Sequence, residues 1–311
     1  MSAISLEYPV MSFARQLKQK YDSIIYRFRE KKYLRGSEWV SHRHNRKIPE
    51  TNWSILHRDV ANECRRRDIP FEELRIDVDD FEQFARKFRI SPFSLYALRS
   101  REKKVMEHYV AFKLLDLKPG NRYIDIASES SPFSGLARRK LGLETYSQDL
   151  SYPNGLRGNR IGSSADSLPV SDNWVDGASL QCAFEHFQGN IDSNFIRELA
   201  RVLKQNGRCV IVPLYMGQIA LNIYDPLLYT DWKDTTADSD TEIIAELALG
   251  GYFERIYSPA SLARILIPGL GLRYRVFYVT GKEDAFPEIT AGAREQLSRI
   301  RYVLLIEKTG G

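Results

Sequence analysis

The sequence lacks long apolar runs and holds few cysteines. No apolar run in its 311 residues reaches the roughly 18–20 residues that a membrane-spanning helix needs. The N-terminal segment is also short of the apolar core of a secretory signal, so we expect a cytoplasmic protein. The three cysteines, Cys64, Cys182 and Cys209, include no pair at C-x-x-C spacing. This argues against a disulfide framework and a zinc site, and it predicts reduced, partly buried thiols.

The histidines also lack a metal-binding pattern. His42 and His44 stand two residues apart in a basic, polar stretch that offers no nearby acidic or cysteine ligand. A structural or catalytic metal needs three or four such ligands from the protein. We therefore predict no metal site.

Charge of one sign is concentrated at the front of the chain. Residues 1–105 hold 23 Lys and Arg against 15 Asp and Glu, whereas residues 106–311 hold 22 against 25. A basic front half is compatible with a polyanion such as nucleic acid, a phosphorylated carrier or a nucleotide sugar. Acidic residues are interleaved throughout, which fits a solvated helical face equally well.

The front of the chain is predicted to be mainly helical. Apolar residues recur there at helical spacing, and turn residues separate the segments. The predicted helices are Phe13–Tyr33, Glu50–Asp68 and Asp79–Phe88, the last capped by Asp79 or Asp80. We assign residues 1–102 to a basic, mainly helical N-terminal region, which either folds independently or wraps the domain that follows.

From residue 103 the pattern changes to strands that alternate with helices. Such alternation at short spacing predicts a parallel sheet covered on both faces. The predicted strands are Arg122–Ala127, Leu143–Gln148, Asn159–Ser163, Val175–Gln181, Arg208–Leu214, Arg273–Thr280 and Arg301–Lys308. The predicted helices are Lys103–Leu117, Ser134–Leu141, Ile191–Lys204 and Ser258–Ile267, and one side of the first carries Met106, Tyr109, Val110, Lys113 and Leu114.

Four motifs accompany the first four strands of this domain. Tyr123–Ser131 stands where a glycine-rich loop would be, and Gln148–Ser151 follows the second strand. Ala165–Val170 precedes the fourth strand, and Phe184–His186 leads into a long helix. In this order the motifs resemble the class I S-adenosylmethionine-dependent methyltransferase family, in its small-molecule or glycan branch. The resemblance implies an α/β fold: a Rossmann-like sandwich whose mostly parallel, seven-stranded sheet has an antiparallel last strand.

The resemblance also implies S-adenosylmethionine as the cofactor. An acid at the end of the second strand, Asp149, can accept hydrogen bonds from both ribose hydroxyls, and the neighbouring Leu150 is expected at the same site. By resemblance, Asp166 would accept the adenine amino group, and the backbone N–H of Ser167 would meet a ring nitrogen. Loops after parallel strands converge at one edge of the sheet, which is where ligands bind in such folds.

The methionine end of the cofactor is expected at the first and fourth strands. Asp125 would orient the first loop and approach the methionine amine. Gln181 and Cys182, which follow the fourth strand, would line that end of the site. The loop itself, Ala127, Ser128 and Glu129, completes the predicted cofactor-binding set.

This first loop lacks the glycines of the family. The family usually has D-x-G-x-G-x-G, whereas this chain has Asp125-Ile-Ala-Ser-Glu-Ser-Ser131. Glycine adopts a positive φ without strain and lets the backbone approach a ligand. Ala127 is a small change, but Glu129 adds bulk and charge. The alternative is therefore a cofactor-free scaffold or binding protein with the methyltransferase fold.

The acceptor is predicted from weaker signals. His186, after the fourth strand, is our candidate general base for an alcohol or phenol, although it is compatible with merely packing the following helix. Residues 215–258 form a long insertion with aromatic and acidic side chains, which suits a substrate lid over a hydroxyl-rich ligand. The alternative is a solvated loop and a helix over Thr241–Leu249.

We therefore predict O-methylation of a small molecule or glycan by the domain at residues 103–311. No Asn/Asp-Pro-Pro-aromatic motif and no Pro-Cys pair is present, so a nucleic-acid-directed methyltransferase is the less favoured alternative. A homodimer remains open.

Overall fold

A computed structural model of the chain describes residues 53–88, 101–129, 131–228, 238–246, 252–285 and 299–310. The predicted helix Phe13–Tyr33 and the histidines at 42 and 44 lie outside these ranges. The chain divides into two compact units. The larger contains residues 52–221, 239–242 and 255–311, and the described part of the smaller one falls within 222–254.

Six α-helices occur in the described ranges. They are α1 (Trp53–Arg66), α2 (Val78–Lys87), α3 (Arg101–Leu115), α4 (Phe133–Leu141), α5 (Ile191–Val202) and α6 (Pro259–Ile265). A 3-10 turn covers Phe184–His186. The strands are β1 (Phe71–Arg75), β2 (Arg122–Ile126), β3 (Glu144–Arg157), β4 (Arg160–Gly162), β5 (Val175–Gln181), β6 (Leu203–Leu214), β7 (Ala220–Tyr224), β8 (Thr241–Ala245), β9 (Phe253–Ile256), β10 (Leu272–Thr280) and β11 (Tyr302–Lys308).

The main sheet has eight strands in the order β1-β10-β11-β6-β5-β2-β3-β4. Strand β11 runs antiparallel to both of its neighbours, and the other pairings are parallel. The chain moves outward from β2 to β4 and then returns to the other side of β2 with β5. The predicted Rossmann-like sandwich, with a mostly parallel sheet and an antiparallel last strand, is confirmed, although the sheet has eight strands where seven were predicted.

Helices cover both faces of this sheet. One apolar core joins α1, α5 and α6 to one side of the strands, and a second joins α2, α3 and α4 to the other. In β6, Cys209 and Ile211 belong to the first core, whereas Val210 and Val212 belong to the second. Alternate residues of a strand point to opposite faces, so a strand buried on both sides is a continuous apolar run.

Strand β1 is the strand of the main sheet that the sequence pattern missed. Phe71–Arg75 is rich in charged residues and was included in the mainly helical region, yet it pairs in parallel with β10 from Phe71↔Val276 to Arg75↔Thr280. An edge strand exposes much of its surface, so polar side chains are tolerated there. Because residues 89–100 lie outside the described ranges, the boundary at residue 102 stays a prediction.

Two helix predictions need correction. The cap of α2 is Asp77, whose side chain accepts the Asp80 N–H at 3.0 Å, and neither Asp79 nor Asp80 caps the helix. Helix α3 is buried on nearly every side, and not on a single side, because the sheet and α2 enclose it. Lys113, which the spacing places on the same side as Met106 and Tyr109, is exposed and pairs with Asp80.

Most of the remaining helices and strands begin and end close to their predicted bounds, and the differences lie in α5, β3 and β6. Helix α4 ends at Gly142, whose φ of 67° is the left-handed conformation that glycine adopts without strain. Helix α5 stops at Val202, and the turn at Asn206 lies within β6. Strand β3 continues past Gln148 to Arg157.

The insertion is not helical where it is described. Residues 241–245 form β8 in a separate three-stranded sheet of order β8-β7-β9, so the helix considered over Thr241–Leu249 is wrong there. Thr241, Ile243 and Ile244 are β-branched, which favours a strand. In the smaller unit, Tyr224 and Phe253 form a small apolar core. No helix in the described part of the chain is long and apolar enough to cross a membrane.

Candidate functional site

The candidate site lies at the carboxyl ends of β2, β3, β4 and β5. Strands β3 and β5 flank β2, and the chain direction across the sheet reverses there. The loops after β2 and β5 therefore diverge and leave a crevice, which is where ligands bind in open parallel sheets. All the predicted cofactor-binding residues belong to these strand ends or loops.

The loop after β2 has the backbone shape of a glycine-rich loop without the glycines. Ala127 has a φ of 52° and Glu129 a φ of 44°, both in the left-handed region that non-glycine residues seldom occupy. Such residues store roughly 1–3 kcal/mol of strain each and persist only where surrounding contacts fix them. Residues 148–152 in the middle of β3 supply those contacts.

Gln148 fixes the first turn of this loop. Its buried side chain accepts the Ala127 N–H at 3.0 Å and donates through Nε2 to the Ser163 carbonyl oxygen at 2.5 Å. Its own carbonyl oxygen accepts the Ser128 N–H at 2.9 Å. One residue thus joins the loops that follow β2 and β4.

Asp149 fixes the second turn. Its Oδ2 accepts the Glu129 N–H at 2.8 Å, and its Oδ1 accepts the Ser151 N–H at 2.8 Å. A carboxylate offers about four lone-pair positions, so about two remain for a ligand. The neighbouring Leu150 is 79% exposed, which is unusual for a leucine and leaves its side chain open to a ligand.

Tyr152 closes the same loop from the side. Its hydroxyl donates to the Glu129 carbonyl oxygen at 2.7 Å and lies 3.2 Å from the Ser128 Oγ. Ser128 is buried, whereas Glu129 is exposed. The loop therefore presents its backbone inward and its glutamate toward solvent.

The turn after β4 carries the residues predicted for adenine. Asp166 Oδ1 accepts a hydrogen bond from the Ser164 hydroxyl. The Ser167 N–H, predicted to meet an adenine ring nitrogen, donates to the Ser164 carbonyl oxygen at 3.2 Å. That bond is long, and a ligand atom would have to compete with it.

Asp125 is buried at the end of β2. Burial raises the pKa of its carboxyl to about 7, although a hydrogen bond with Ser131 and the Lys104 ammonium group both lower it. Its Oδ2 is buried and has no hydrogen-bond partner. Buried polar atoms are nearly always paired in proteins, so this oxygen is a candidate contact for a ligand.

The residues after β5 face helix α3. Gln181 Nε2 donates to the Ser179 Oγ, itself 2.6 Å from the Tyr123 hydroxyl. Cys182 has a φ of 52°, and its Sγ donates to Glu107 Oε1 at 3.0 Å. Burial and, to a smaller extent, the nearby Glu107 carboxylate raise the pKa of the Cys182 thiol to about 12. This thiol is therefore not a thiolate nucleophile near neutral pH.

His186 lies in the 3-10 turn beside a buried carboxyl. Its side chain is 44% exposed, and its Nε2 is 3.9 Å from Glu185 Oε1. Glu185 is 4% exposed, and its Oε2 has no hydrogen-bond partner. Burial raises the pKa of Glu185 to about 7, which the nearby His186 and Lys103 charges oppose.

Several residues of this site were missed by the sequence reasoning. Charged residues of α3 form an ion cluster in which Glu107 binds both Lys103 (3.5 Å) and Lys104 (3.0 Å). The sequence feature that could have revealed this cluster is the i, i+3 and i, i+4 spacing of these charges in an otherwise apolar helix. Gln148 and Glu185 were named in the motifs without a role in cofactor binding, and Tyr152 and Tyr215 were missed. Burial, with the nearby Cys182, Glu185 and Glu107, raises the pKa of the Tyr215 hydroxyl.

Residues 130–211 match the family model described as a methyltransferase domain. The match covers about a quarter of the chain, from just after the β2 loop to β6. No curated protein matches the chain.

Several solved structures are similar to the chain. A 1,6-didemethyltoxoflavin-N1-methyltransferase of Burkholderia thailandensis, with bound 1,6-didemethyltoxoflavin and S-adenosylhomocysteine, is 11% identical with a TM-score of 0.40, over 74% of this chain and 87% of that one. The YcgJ protein of Bacillus subtilis is 15% identical with a TM-score of 0.36, over 68% and 99%. Sequence identities and TM-scores this low say nothing about the activity or the substrate of this chain.

Proposed function

We propose that the protein is an S-adenosylmethionine-dependent methyltransferase that methylates a hydroxyl group of a small molecule or glycan. The observation that carries this is the β2 loop, which adopts left-handed turns at Ala127 and Glu129 although glycine is absent. Its backbone is bound by Gln148 and Asp149 at the switch point of a parallel sheet. The match of residues 130–211 to a methyltransferase domain supports the same function.

The residues present fit the nucleoside part of this cofactor. Two hydrogen bonds already occupy Asp149, which leaves about two lone-pair positions for the two ribose hydroxyls. Glu129, whose charge would oppose the cofactor carboxylate if it pointed inward, is exposed. Leu150 offers an exposed apolar side chain next to Asp149, which suits the face of a purine ring.

The other end of the crevice fits a group with polar and cationic character. Asp125 Oδ2 is buried without a partner and would accept the methionine ammonium group. Gln181 and Cys182 stand at the end of β5 on the far side of the same crevice. A scaffold would have no need of an unpaired buried carboxylate oxygen, because leaving one unpaired costs stability.

Bound S-adenosylmethionine would supply a methyl group whose carbon the acceptor oxygen attacks, with S-adenosylhomocysteine as the leaving group. The main contribution of the chain is then to hold the acceptor in line, which can be worth roughly 7–11 kcal/mol. The proton of an acceptor hydroxyl would pass to Nε2 of His186, whose side chain is partly exposed beside the buried Glu185. The Glu185 carboxyl lies 3.9 Å from this nitrogen and would hold the imidazole ring in place.

The acceptor class follows from the composition of residues 215–258. This segment carries aromatic side chains together with several aspartates. Aromatic rings pack on the apolar faces of sugars and phenols, and carboxylates accept hydrogen bonds from their hydroxyls. A hydroxyl-rich acceptor is therefore favoured over a nucleic acid, which carboxylates would repel.

Titration calorimetry tests the cofactor assignment. We expect both S-adenosylmethionine and S-adenosylhomocysteine to bind the unaltered protein, and Asp149→Ala to weaken both at least about 10-fold by removing the ribose contact. Asp116→Ala is the matched control, since Asp116 is an exposed aspartate that pairs with Lys118 before β2. A folded protein that binds neither compound would establish the scaffold alternative.

Methyl transfer tests the acceptor and the base. Radiolabelled S-adenosylmethionine with panels of phenols, sugars and glycans should label a hydroxyl-bearing compound. His186→Gln should then slow turnover while cofactor affinity stays the same. Label transferred only to RNA or DNA, with binding that weakens steeply with salt, would instead support the nucleic-acid alternative.

A further inference from the structure

Strand β4 pairs with two separate parts of β3. Residues 147–149 pair with it before β3 bends, and residues 154–157 pair with it afterwards, so that Gly162, the last residue of β4, has a partner in each part. Because a strand has one neighbour on each side, the two parts of β3 lie on opposite sides of β4. Residues 150–153, which we call the crossing segment, therefore pass over the carboxyl end of β4 at Gly162.

Gly162 leaves the space that the crossing segment occupies. A β-carbon at this position would come closer than 3.0 Å to the carbonyl oxygens of Tyr152 and Pro153, a separation that real β-carbons essentially never show. Both are backbone atoms, so no change of rotamer would relieve the contact. The φ of Gly162 lies outside the left-handed region. The missing side chain, and not the conformational freedom of glycine, is therefore what this position requires.

The crossing segment binds both backbone groups of Glu129 in the β2 loop. The Tyr152 hydroxyl donates to the Glu129 carbonyl oxygen at 2.7 Å and lies 3.2 Å from the Ser128 Oγ. The Ser151 N–H donates at 2.8 Å to Asp149 Oδ1, while Oδ2 of the same carboxylate accepts the Glu129 N–H at 2.8 Å. The position of the crossing segment thus determines the position of the loop.

Arg160 supports the Tyr152 ring from the other end of β4. Its guanidinium carbon lies 5.2 Å from the centroid of that ring, within the range of an attractive cation–π contact. Arg160 and Gly162 are the first and last residues of the three-residue strand β4. This short strand therefore both makes room for the crossing segment and packs against its tyrosine.

These contacts supply what a glycine would otherwise supply. Glu129 has a φ of 44°, a conformation that a residue with a β-carbon keeps only where its surroundings fix it. Glycine would adopt the same φ without such contacts. In this chain the two hydrogen bonds to the Glu129 backbone take over that task, and both depend on the path of the crossing segment.

We propose that the crossing segment takes the place of the missing loop glycines, and that Gly162 is a positioning residue for cofactor binding because it admits this segment. The close backbone approach that the site needs has thereby moved from the β2 loop to β4. The proposal rests on the proposed function, since the ligand that the loop binds is S-adenosylmethionine.

A double-mutant cycle at positions 129 and 152 tests the replacement, with calorimetry of S-adenosylhomocysteine as the readout. Tyr152→Phe alone should weaken binding about 3- to 10-fold, because one hydrogen bond to the loop is lost. In Glu129→Gly protein the same change should cost less than about twofold, since glycine keeps the loop shape unaided. In Glu129→Ala protein, which keeps the β-carbon, the full loss should return. A tyrosine that only stabilised the fold would cost the same in both backgrounds.

Gly162→Ala tests the space beneath the crossing segment. It should weaken S-adenosylhomocysteine at least about 10-fold, and adding Tyr152→Phe should then change the affinity less than about twofold, because the hydroxyl has already left Glu129. Gly177→Ala is the matched control. Its β-carbon would lie 2.8 Å from a side-chain carbon of Leu117, near the start of β5 and away from the crevice, so it should lower stability without changing the affinity of the folded protein.

The outcomes separate this proposal from the proposed function. If Tyr152→Phe costs the same affinity with glycine as with alanine at position 129, or if folded Gly162→Ala binds like the unaltered protein, the proposal is overturned while the cofactor site stands. If Gly162→Ala does not fold, the cycle at positions 129 and 152 decides alone. If the unaltered protein does not bind S-adenosylhomocysteine, the proposed function fails and this proposal with it.

Discussion

The backbone N–H of Glu129 donates to Asp149 Oδ2 at 2.8 Å, and this bond links the loop after β2 to the acid of β3 that follows its last pairing with β2. The residue at a glycine position is thus held in its left-handed conformation by the same carboxylate that we assign to ribose. A single side chain therefore shapes the loop and offers its remaining lone pairs to the ligand.

Removing the Tyr152 hydroxyl should weaken cofactor binding moderately. The hydroxyl donates to the Glu129 carbonyl oxygen at 2.7 Å, and a hydrogen bond of this kind is worth about 0.5–1.5 kcal/mol. We expect Tyr152→Phe to weaken S-adenosylhomocysteine about 3- to 10-fold in calorimetry. Tyr146→Phe is the control, because its hydroxyl donates to Glu144 at the opposite end of β3. Equal effects in the two variants would contradict a role of Tyr152 in the loop.

Glu129→Gly should stabilise the protein. At a φ of 44° glycine avoids the strain that a β-carbon causes, and this gain outweighs the extra flexibility of the unfolded chain. We expect the free energy of unfolding to rise by about 0.5–1 kcal/mol in urea titrations. Glu129→Ala keeps the β-carbon and should show no such gain. If alanine and glycine stabilise equally, the removed charge and not the backbone is responsible.

Stability should fall as the pH rises toward neutrality. Burial raises the pKa of Asp125 and of Glu185 to about 7, from ordinary values of 3.8 and 4.5. The folded protein therefore keeps protons that the unfolded chain releases, so the stabilisation is complete below about pH 4 and is lost as the pH rises to about 7. Urea midpoints measured from about pH 5 to 7.5 should reveal the decline.

The variant Glu185→Gln should make that decline shallower. Glutamine cannot ionise, so it removes the contribution of this residue and leaves that of Asp125. Glu82→Gln is the control, since Glu82 is exposed and pairs with Arg86 on α2. A pH profile for Glu185→Gln that is parallel to that of the unaltered protein would refute the assignment.

Helix α6 depends on its cap. The Ser258 Oγ accepts the Ser261 N–H at 3.1 Å, and the Ser261 Oγ accepts the Ser258 N–H at 2.9 Å. Ser258→Ala should lower the free energy of unfolding by about 1 kcal/mol, because an N–H at the helix start loses its partner. Ser193→Ala removes a hydroxyl that donates to a carbonyl oxygen near α5 and should cost less.

Much of the fold could be predicted from the sequence. Strands β2, β5, β10 and β11 are apolar runs between turn residues, and their positions differ from the predictions by at most one residue at nearly every end. A run of that kind is buried in any packing, so its strand state depends little on the rest of the chain. Edge strand β1 is charged, and it is stabilised as a strand by pairing with β10, which lies about 200 residues later. The local sequence pattern therefore could not reveal it.

The candidate site likewise has residues that the sequence locates and a conformation that only the folded structure determines. Asp149, Asp166 and the β2 loop are located by order along the chain, because the ends of successive parallel strands must meet at one edge. The conformation of Ala127 and Glu129 was decided by Gln148, Asp149 and Tyr152, which only the folded sheet brings within hydrogen-bond distance. Left-handed backbone at a non-glycine residue is unfavourable locally, so tertiary contacts alone stabilise it.

The charges of α3 show the same limit. The sequence determined that Lys103, Lys104 and Glu107 share one stretch of helix, since their spacing fixes this. Only the tertiary structure decided that the stretch is buried against the end of β5, where Glu107 meets Cys182. Burial makes these ion pairs depend on the fold, because desolvated charges are stabilised only by the partners that the fold supplies.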